Sequence, residues 1–298
     1  MASIQASIAI EGYDVPDQRA EGLARGNGAH FRNRNEKEFA GYRDAIDAIV
    51  RDRNLTPITA AYPFYLTTQI HRYTTGEAGR PKQDENEIVS HENGIKRVIF
   101  QPVAPHLVEA TLRSLLAGYN EGLDDNVADP ILLLGLFVLD FLAIHPVADG
   151  NGRISRLLTV HELLRMGYGV ARYVSVEQLI FASKNSYYDA LEASQRGWHD
   201  GRHDVWPWLT YFVTILADAY EKFEAKVAGA RSAYGSKAER VRQWALHEAP
   251  TEFRFAEAVT ALPGISSATI RAALNGLRDA GRLQATLGAG AVWRRVGS

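Results

Sequence analysis

Apolar residues recur at three- and four-residue spacing, with charges between them, along most of the chain. That spacing lines them up on one face of an α-helix. It predicts helices at 36–52, 56–75, 104–119, 130–144, 152–166, 184–196, 206–228 and 237–248. The run PILLLGLFVLDFLAI, 130–144, is the most apolar of these. It is too short to span a bilayer and Asp140 interrupts it, so it reads as a buried core helix. One stretch breaks the helical period. ENEIVSHENGIKRVIFQPV, 85–103, sets two β-rich runs around Asn93-Gly94, residues that tolerate the positive φ of a tight turn. It predicts a β-hairpin, either a surface excursion or a flap over a cleft.

GARSAYGSK, 229–237, is small and polar and reads as a linker. After it come helical patterns at 237–248, 253–261 and 266–280, then a glycine-containing β-rich tail, RLQATLGAGAVWRRV. Three helices and a two-stranded wing are the layout of a winged helix-turn-helix. The fold class expected is mainly α, a helical core with a hairpin flap followed by that small domain. The expected boundaries are an arm at 1–25, a catalytic domain at 26–230, a linker at 231–237 and the small domain at 238–298.

Composition changes this picture only at the margins. A hydrophobic content of 46% against 23% charged excludes a disordered chain. The chain has no cysteine, so disulfides and thiolate chemistry are excluded and any metal is held by oxygen or nitrogen. The start, MASIQASIAIEGYDV, lacks the basic residues and apolar run of a secretory signal. A cytoplasmic protein without a membrane partner is the expectation. From Lys237 to Ser298 nine basic residues face five acidic ones, a net of +4, while the rest carries 24 basic against 30 acidic, a net of −6. A basic tail on an acidic body suggests parts with different partners, or simply a solvated face.

The chemistry gathers in HPVADGNGRISR, 145–156. A residue before proline is pushed towards extended geometry, so His145 is expected to leave the preceding helix. Gly150, Asn151 and Gly152 let successive backbone N–H groups turn to one point, an anion nest, beside the positive end of the next helix. Arg153 and Arg156, three apart, share a face there and suit phosphate oxygens. Asp149 supplies the single carboxylate typical of Mg²⁺ beside phosphates. His145 is a base whose ordinary pKa of about 6.5 suits proton removal near neutral pH. Each feature alone is common at helix ends and turns. In this order, within one loop, they describe phosphoryl-type transfer by positioning and charge stabilisation.

The loop resembles the Fic (Fic/Doc) motif, His-Pro-Phe-x-Asp/Glu-Gly-Asn-Gly/Lys-Arg-x-x-Arg, with Val147 where phenylalanine is usual. Gly152, rather than lysine, resembles the members that transfer AMP. The resemblance implies a Fic helical core and a protein adenylyltransferase using ATP and Mg²⁺. His145 would deprotonate the target hydroxyl, and Asp149 would hold the metal. Gly150, Asn151, Gly152 and Arg153 would cradle the phosphates, with Arg156 on the γ-phosphate. The hairpin resembles the family's flap, with Lys96, Arg97, Val98 and Ile99 nearest the nucleotide. NSYYDALEASQ, 185–195, resembles the adenine-pocket helix, with Tyr187, Tyr188 and Gln195 as candidates; tyrosines at helical spacing also read as core. SIAIEG, Ser7 to Gly12, fits the inhibitory pattern Ser/Thr-x-x-x-Glu-Gly/Asn, in which Glu11 would pair with Arg156 and leave ATP unproductive.

The partner implied is a protein with an acceptor Ser, Thr or Tyr. DNA is a second candidate partner, through the helix at 266–281, where Ser266, Ser267, Thr269 and Arg271 lie at the start, and through Arg294 and Arg295 of the wing. A homodimer stays open. Two other readings stand beside AMP transfer: a DNA-binding regulator whose core senses nucleotide, and the reverse reaction, with Glu11 orienting a water that removes AMP.

Overall fold

The computed structural model describes residues 1–26, 30–74, 78–92, 95–286 and 291–296, with side chains described outside 90–92, 95 and 229–236. It is mainly helical. In chain order the helices are α1 (Ala2–Ile10), α2 (Asp17–Ala24), α3 (Arg34–Arg51), α4 (Tyr62–Ile70), α5 (Val108–Asp124), α6 (Pro130–Ile144), α7 (Asn151–Arg165), α8 (Val176–Ala182), α9 (Lys184–Gln195), α10 (Trp206–Gln243), α11 (Phe255–Ala261) and α12 (Ser267–Asp279). The strands are β1 (Ile88–Glu92), β2 (Ile95–Phe100), β3 (Glu252–Arg254), β4 (Leu283–Ala285) and β5 (Val292–Arg295). The chain divides into two compact units, Met1–Phe223 and Glu224–Ser298.

In the first unit α6 is the axis. Asp129 caps it by accepting from Ile131 N, and Pro130 takes the first turn, where its missing N–H costs nothing. Leu134, Phe137, Val138, Phe141 and Leu142 are buried, and α5 and α7 pack on α6. Trp208 of α10 anchors there as well, donating from Nε1 to Gly135 O at 2.7 Å. Val147, which stands where the motif it resembles has phenylalanine, packs in this core at 2% exposure.

Helix α1 is nine residues long, too short to persist alone in water. Packing holds it: Ile4, Ile8 and Ile10 are buried in the core, and Ser3 Oγ donates to the buried carboxylate of Glu177 in α8. β1 and β2 form an antiparallel hairpin with a bulge between Ile88 and Val89. Its Asn93-Gly94 turn lies outside the described residues.

The helix expected at 56–75 shortens to α4, because Pro57 and Pro63 cannot both lie inside a helix and Pro63 is tolerated only in the first turn. The segment 231–237, expected as a linker, belongs instead to the single helix α10. Its alanine, arginine, serine and lysine are adequate helix formers between two strong helical runs, and the single glycine, Gly235, does not outweigh them.

In the second unit α10 ends in a π-helical turn, Trp244–Glu248. The expected helix at 253–261 begins as a strand, β3. The sheet therefore has three strands in the order β3-β5-β4 rather than a two-stranded wing. Trp244, Phe253, Ile270, Leu274 and Trp293 are buried in its core.

Candidate active site

His145 leaves α6 as expected, but not in extended geometry. It adopts the left-handed region, φ 53° and ψ 61°. That conformation closes the helix end, where His145 N donates to Phe141 O at 3.0 Å, and it overrides the bias of a residue before proline. The ring Nδ1 lies 3.2 Å from Leu142 O. A carbonyl only accepts, so Nδ1 carries the hydrogen and Nε2 keeps its lone pair. Burial pushes the His145 pKa down to about 4, with the Leu142 carbonyl opposing the shift, so the ring is neutral near neutral pH.

The loop that follows is held by Asn151. Its buried amide donates from Nδ2 to Val147 O at 2.7 Å and accepts at Oδ1 from Val147 N at 3.0 Å. The Asn151 side chain is therefore a loop clasp, not a free phosphate ligand. Gly150 opens α7 with φ 95°, a conformation that side chains rarely adopt.

The two arginines have separate fates. Arg156 is buried and donates from Nε to Ser7 Oγ (2.8 Å) and from Nη2 to Ser7 O (2.9 Å) and Glu11 Oε1 (2.9 Å). Its Nη1 has no partner among the described residues. Burial opposes its charge, but the Glu11 carboxylate and nearby tyrosines hold its pKa above the ordinary value. Arg153, expected to cradle phosphate, is fully buried instead. It is ion-paired to the buried Glu38 and lies 5.4 Å from the Tyr13 ring centroid. An unpaired Glu38 in that core would be costly, and Arg153 neutralises it. Only its backbone remains available at the start of α7.

Glu11 sits where α1 ends and reaches into the start of α7. A Cβ on Gly152 would meet Glu11 Oε1 at 2.3 Å and Arg156 Nη1 at 3.2 Å. Gly152 is thus a close-approach glycine. A cavity of about 720 Å³ opens here, lined by Glu11, His145, Gly152, Tyr187, Tyr188 and Gln195, with Ile99 from β2. Tyr187 is buried edge-on against Trp208 at 5.6 Å. Tyr188 donates from its hydroxyl to Ile10 O at 3.4 Å. Of the four flap candidates only Ile99 lines the cavity. Lys96 pairs with Glu87 at 2.8 Å, Arg97 lies 3.6 Å from Glu192, and Val98 is exposed.

Asp149 is half-exposed and lies 3.3 Å from Arg34 Nη2 and 3.2 Å from Arg153 Nη2. Glu38, His71 and Asp149 bring one ligand atom each within 4.8 Å of one another. Arg153 consumes Glu38, so Asp149 is the carboxylate left to take a hard cation with waters and phosphate oxygens. That single exposed oxygen donor fits Mg²⁺. Sequence reasoning missed Arg34, Glu38 and Tyr13, which surround Asp149 and Arg153. The spacing of Arg34 and Glu38, i and i+4 on a helix, was their only signal.

Residues 59–163 match the family model described as Fic/DOC family. This stretch is the part of the chain that reads as a Fic/DOC family domain. Such domains commonly transfer AMP or other nucleotide-derived groups to proteins. A Fido domain-containing protein of Dictyostelium discoideum is 29% identical over 100 residues, which cover 34% of this chain and 66% of that protein, just under two thirds of its length. Solved structures share the fold. A Fic family protein from Desulfovibrio desulfuricans has a TM-score of 0.63 at 19% identity, covering 100% of this chain and 86% of its own. A Fic domain-containing signaling protein from Bacteroides thetaiotaomicron has a TM-score of 0.59 at 20% identity, covering 73% and 84%. Fic-1 from C. elegans has a TM-score of 0.57 at 19% identity, covering 76% and 63%. Among the described residues no helix is long and apolar enough to cross a membrane.

Proposed function

We propose that this Fic domain transfers AMP from ATP-Mg to a Ser, Thr or Tyr hydroxyl of a target protein, and that Glu11 restrains it. The observation that carries this is His145, a neutral imidazole with Nδ1 committed to Leu142 O, lining the same cavity as Gly152 at the start of α7. In the reaction Nε2 takes the proton of the acceptor hydroxyl while that oxygen bonds to the α-phosphorus. The bond from the α-phosphorus to its bridging oxygen breaks, and pyrophosphate leaves with the electron pair. Backbone N–H groups at the positive end of α7 would face the phosphates. Arg156, once released by Glu11, would take the γ-phosphate. Asp149 would hold Mg²⁺, which would supply charge neutralisation on the phosphates. Tyr187, Tyr188 and Gln195 would surround the base, and the open edge of the two-stranded hairpin would align the target by strand pairing.

The test is incubation with α-labelled ATP and Mg²⁺ in cell lysate, using the wild type, Glu11→Gly and His145→Ala. Labelled protein with Glu11→Gly, and none with His145→Ala despite retained ATP binding, is the expected result. Label in His145→Ala would remove His145 as the base.

The reverse reaction is the second reading, favoured by one observation: the Glu11 carboxylate lines the cavity with His145, where it could orient a water. Release of AMP from a modified protein, lost in Glu11→Gly, would select it. Helices α11 and α12 with the three-stranded sheet support reading the second unit as a winged helix, but the two arginines of its expected wing are engaged. Arg294 pairs with Glu252, and Arg295 donates to the carbonyls of Leu246 and Ala249. That weakens the DNA-binding regulator, which a salt-dependent gel shift without AMP transfer would restore.

A further inference from the structure

The last turn of a helix leaves its final carbonyls without intrahelical donors. In α6 each of the last four is met. Phe141 O accepts from His145 N (3.0 Å) and Leu142 O from His145 Nδ1 (3.2 Å). Ala143 O accepts from Val103 N at 3.4 Å, and Ile144 O from Lys82 Nζ at 3.5 Å. Two of the four donors thus come from outside the catalytic loop. They lie on the two stems of the hairpin, Lys82 before β1 and Val103 after β2.

Lys82 does more than meet one carbonyl. Its backbone N donates to Pro146 O at 2.9 Å, so it grips the chain on both sides of His145. Its Nζ also donates to Asn86 Oδ1 at 2.7 Å, at the foot of the hairpin. It is 2% exposed, among the buried charged residues. A buried ammonium is costly, and among the described residues it makes no short ion pair. What offsets the cost is its place at the negative end of α6, where it faces the last carbonyl, Ile144 O. On the other side stands Val103, packed with Ile144 and Val108 in a small cluster of its own.

We infer that Lys82 is a positioning residue, which caps α6 from the stem of the flap and thereby fixes the orientation of His145 relative to the hairpin. It reaches His145 through Ile144 and Pro146 and belongs to none of the motifs the sequence offers. The role rests on the proposed chemistry only for its kinetic consequence; the tie itself is geometric. The electrostatics agree. Burial pulls the Lys82 pKa down to about 8, against the upward pull of Glu85, so the group is mainly cationic near neutral pH. Its charge adds to the burial that keeps His145 neutral, while Glu11 and Asp149 pull the other way.

The experiment is Lys82→Met in the full chain, read by NMR titration of the His145 ring, assigned by its loss in His145→Ala. The titration midpoint of His145 is expected to rise from about 4 towards 6.5 as the positive charge goes and Ile144 O loses its donor. In the Glu11→Gly background kcat should fall by about tenfold to a hundredfold, the loss that follows a small misplacement of a catalytic group, with KM for ATP little changed. An unchanged His145 midpoint in folded Lys82→Met overturns the proposal. If that variant does not fold, Asn86→Ala removes the 2.7 Å anchor of Nζ without deleting the charge. It should shift the midpoint the same way by less, and no shift there overturns the proposal too. The titration stands even if no AMP transfer is found, so failure of the reaction and failure of the tie are read apart.

Discussion

Glu11 Oε1 accepts from Arg156 Nη2 at 2.9 Å, across 145 residues of sequence. The contact joins the end of α1 to the first turns of α7. Arg156 is nearly fully buried, while the Glu11 side chain keeps 28% of its surface. An arginine that answers to an internal carboxylate cannot answer fully to a phosphate. Among the described residues Arg156 Nη1 has no hydrogen-bond partner, and it lies beside Gly152.

The first prediction concerns that restraint. A hydrogen bond to a charged group contributes about 1.5–3 kcal/mol, and each 1.4 kcal/mol is tenfold. Glu11→Gly should raise AMP transfer by about tenfold to a hundredfold. Incorporation of α-label by both proteins over a range of ATP concentrations checks it. Equal rates throughout would remove Glu11 as the restraint.

Gly152 gives the contact a steric signature. A methyl group there would lie 2.3 Å from Glu11 Oε1, which must move. Without Glu11, alanine in place of glycine favours a helix by up to about 1 kcal/mol. Gly152→Ala should therefore stabilise Glu11→Gly but stabilise the wild type less, or destabilise it. A double-mutant cycle on urea midpoints reads the difference. Identical effects in both backgrounds would mean that Glu11 does not approach α7 in solution.

The titration of His145 carries a pH prediction. Its folded pKa of about 4 lies below the ordinary 6.5. As pH falls, the unfolded chain takes up this proton before the native protein does. Stability from this group is complete above about pH 6.5 and declines as pH drops towards about 4, by roughly 3 kcal/mol at most. His145→Ala should show a flatter fall in its urea midpoint between about pH 7 and pH 4.5. Parallel curves for the two proteins would show that His145 titrates normally.

The contents of 145–156 were legible in the sequence because the loop is local: its spacing alone puts histidine, carboxylate, glycines and arginines together. Glu11 was legible as a pattern, and its distance to Arg156 is a fact of tertiary packing through Ile4 and Ile8. The roles of Asn151 and Arg153 were not legible. Both side chains turn inward, one to clasp Val147 and the other to neutralise Glu38, a residue 115 positions away. Lys82 was invisible for a different reason. A lone lysine in PKQDEN reads as solvated, and only the folded chain shows it facing the end of α6. Periodicity found the long helices but missed α2 and α8, each about two turns long, and it ran β3 into a helix because three residues carry too little alternation.

Arg34 yields the last prediction. Its Nη2 lies 3.3 Å from Asp149 Oδ2, and its side chain is 62% exposed. Arg153 neutralises Glu38 from within the core, so Arg34 is the occupant of Asp149 that solvent can replace. An exposed pair of this kind is held by at most about 1 kcal/mol and is screened by salt. A divalent cation at Asp149 must displace it. Arg34→Ala should therefore tighten Mn²⁺ binding, with Mn²⁺ standing in for Mg²⁺, by up to about fivefold at low ionic strength and by less at high salt. Asp149→Asn should abolish the binding. Calorimetry or the paramagnetic signal of free Mn²⁺ measures both without reference to turnover. Weaker binding in Arg34→Ala would mean that the arginine holds Asp149 in place for the metal, and the competition between cation and side chain would be refuted.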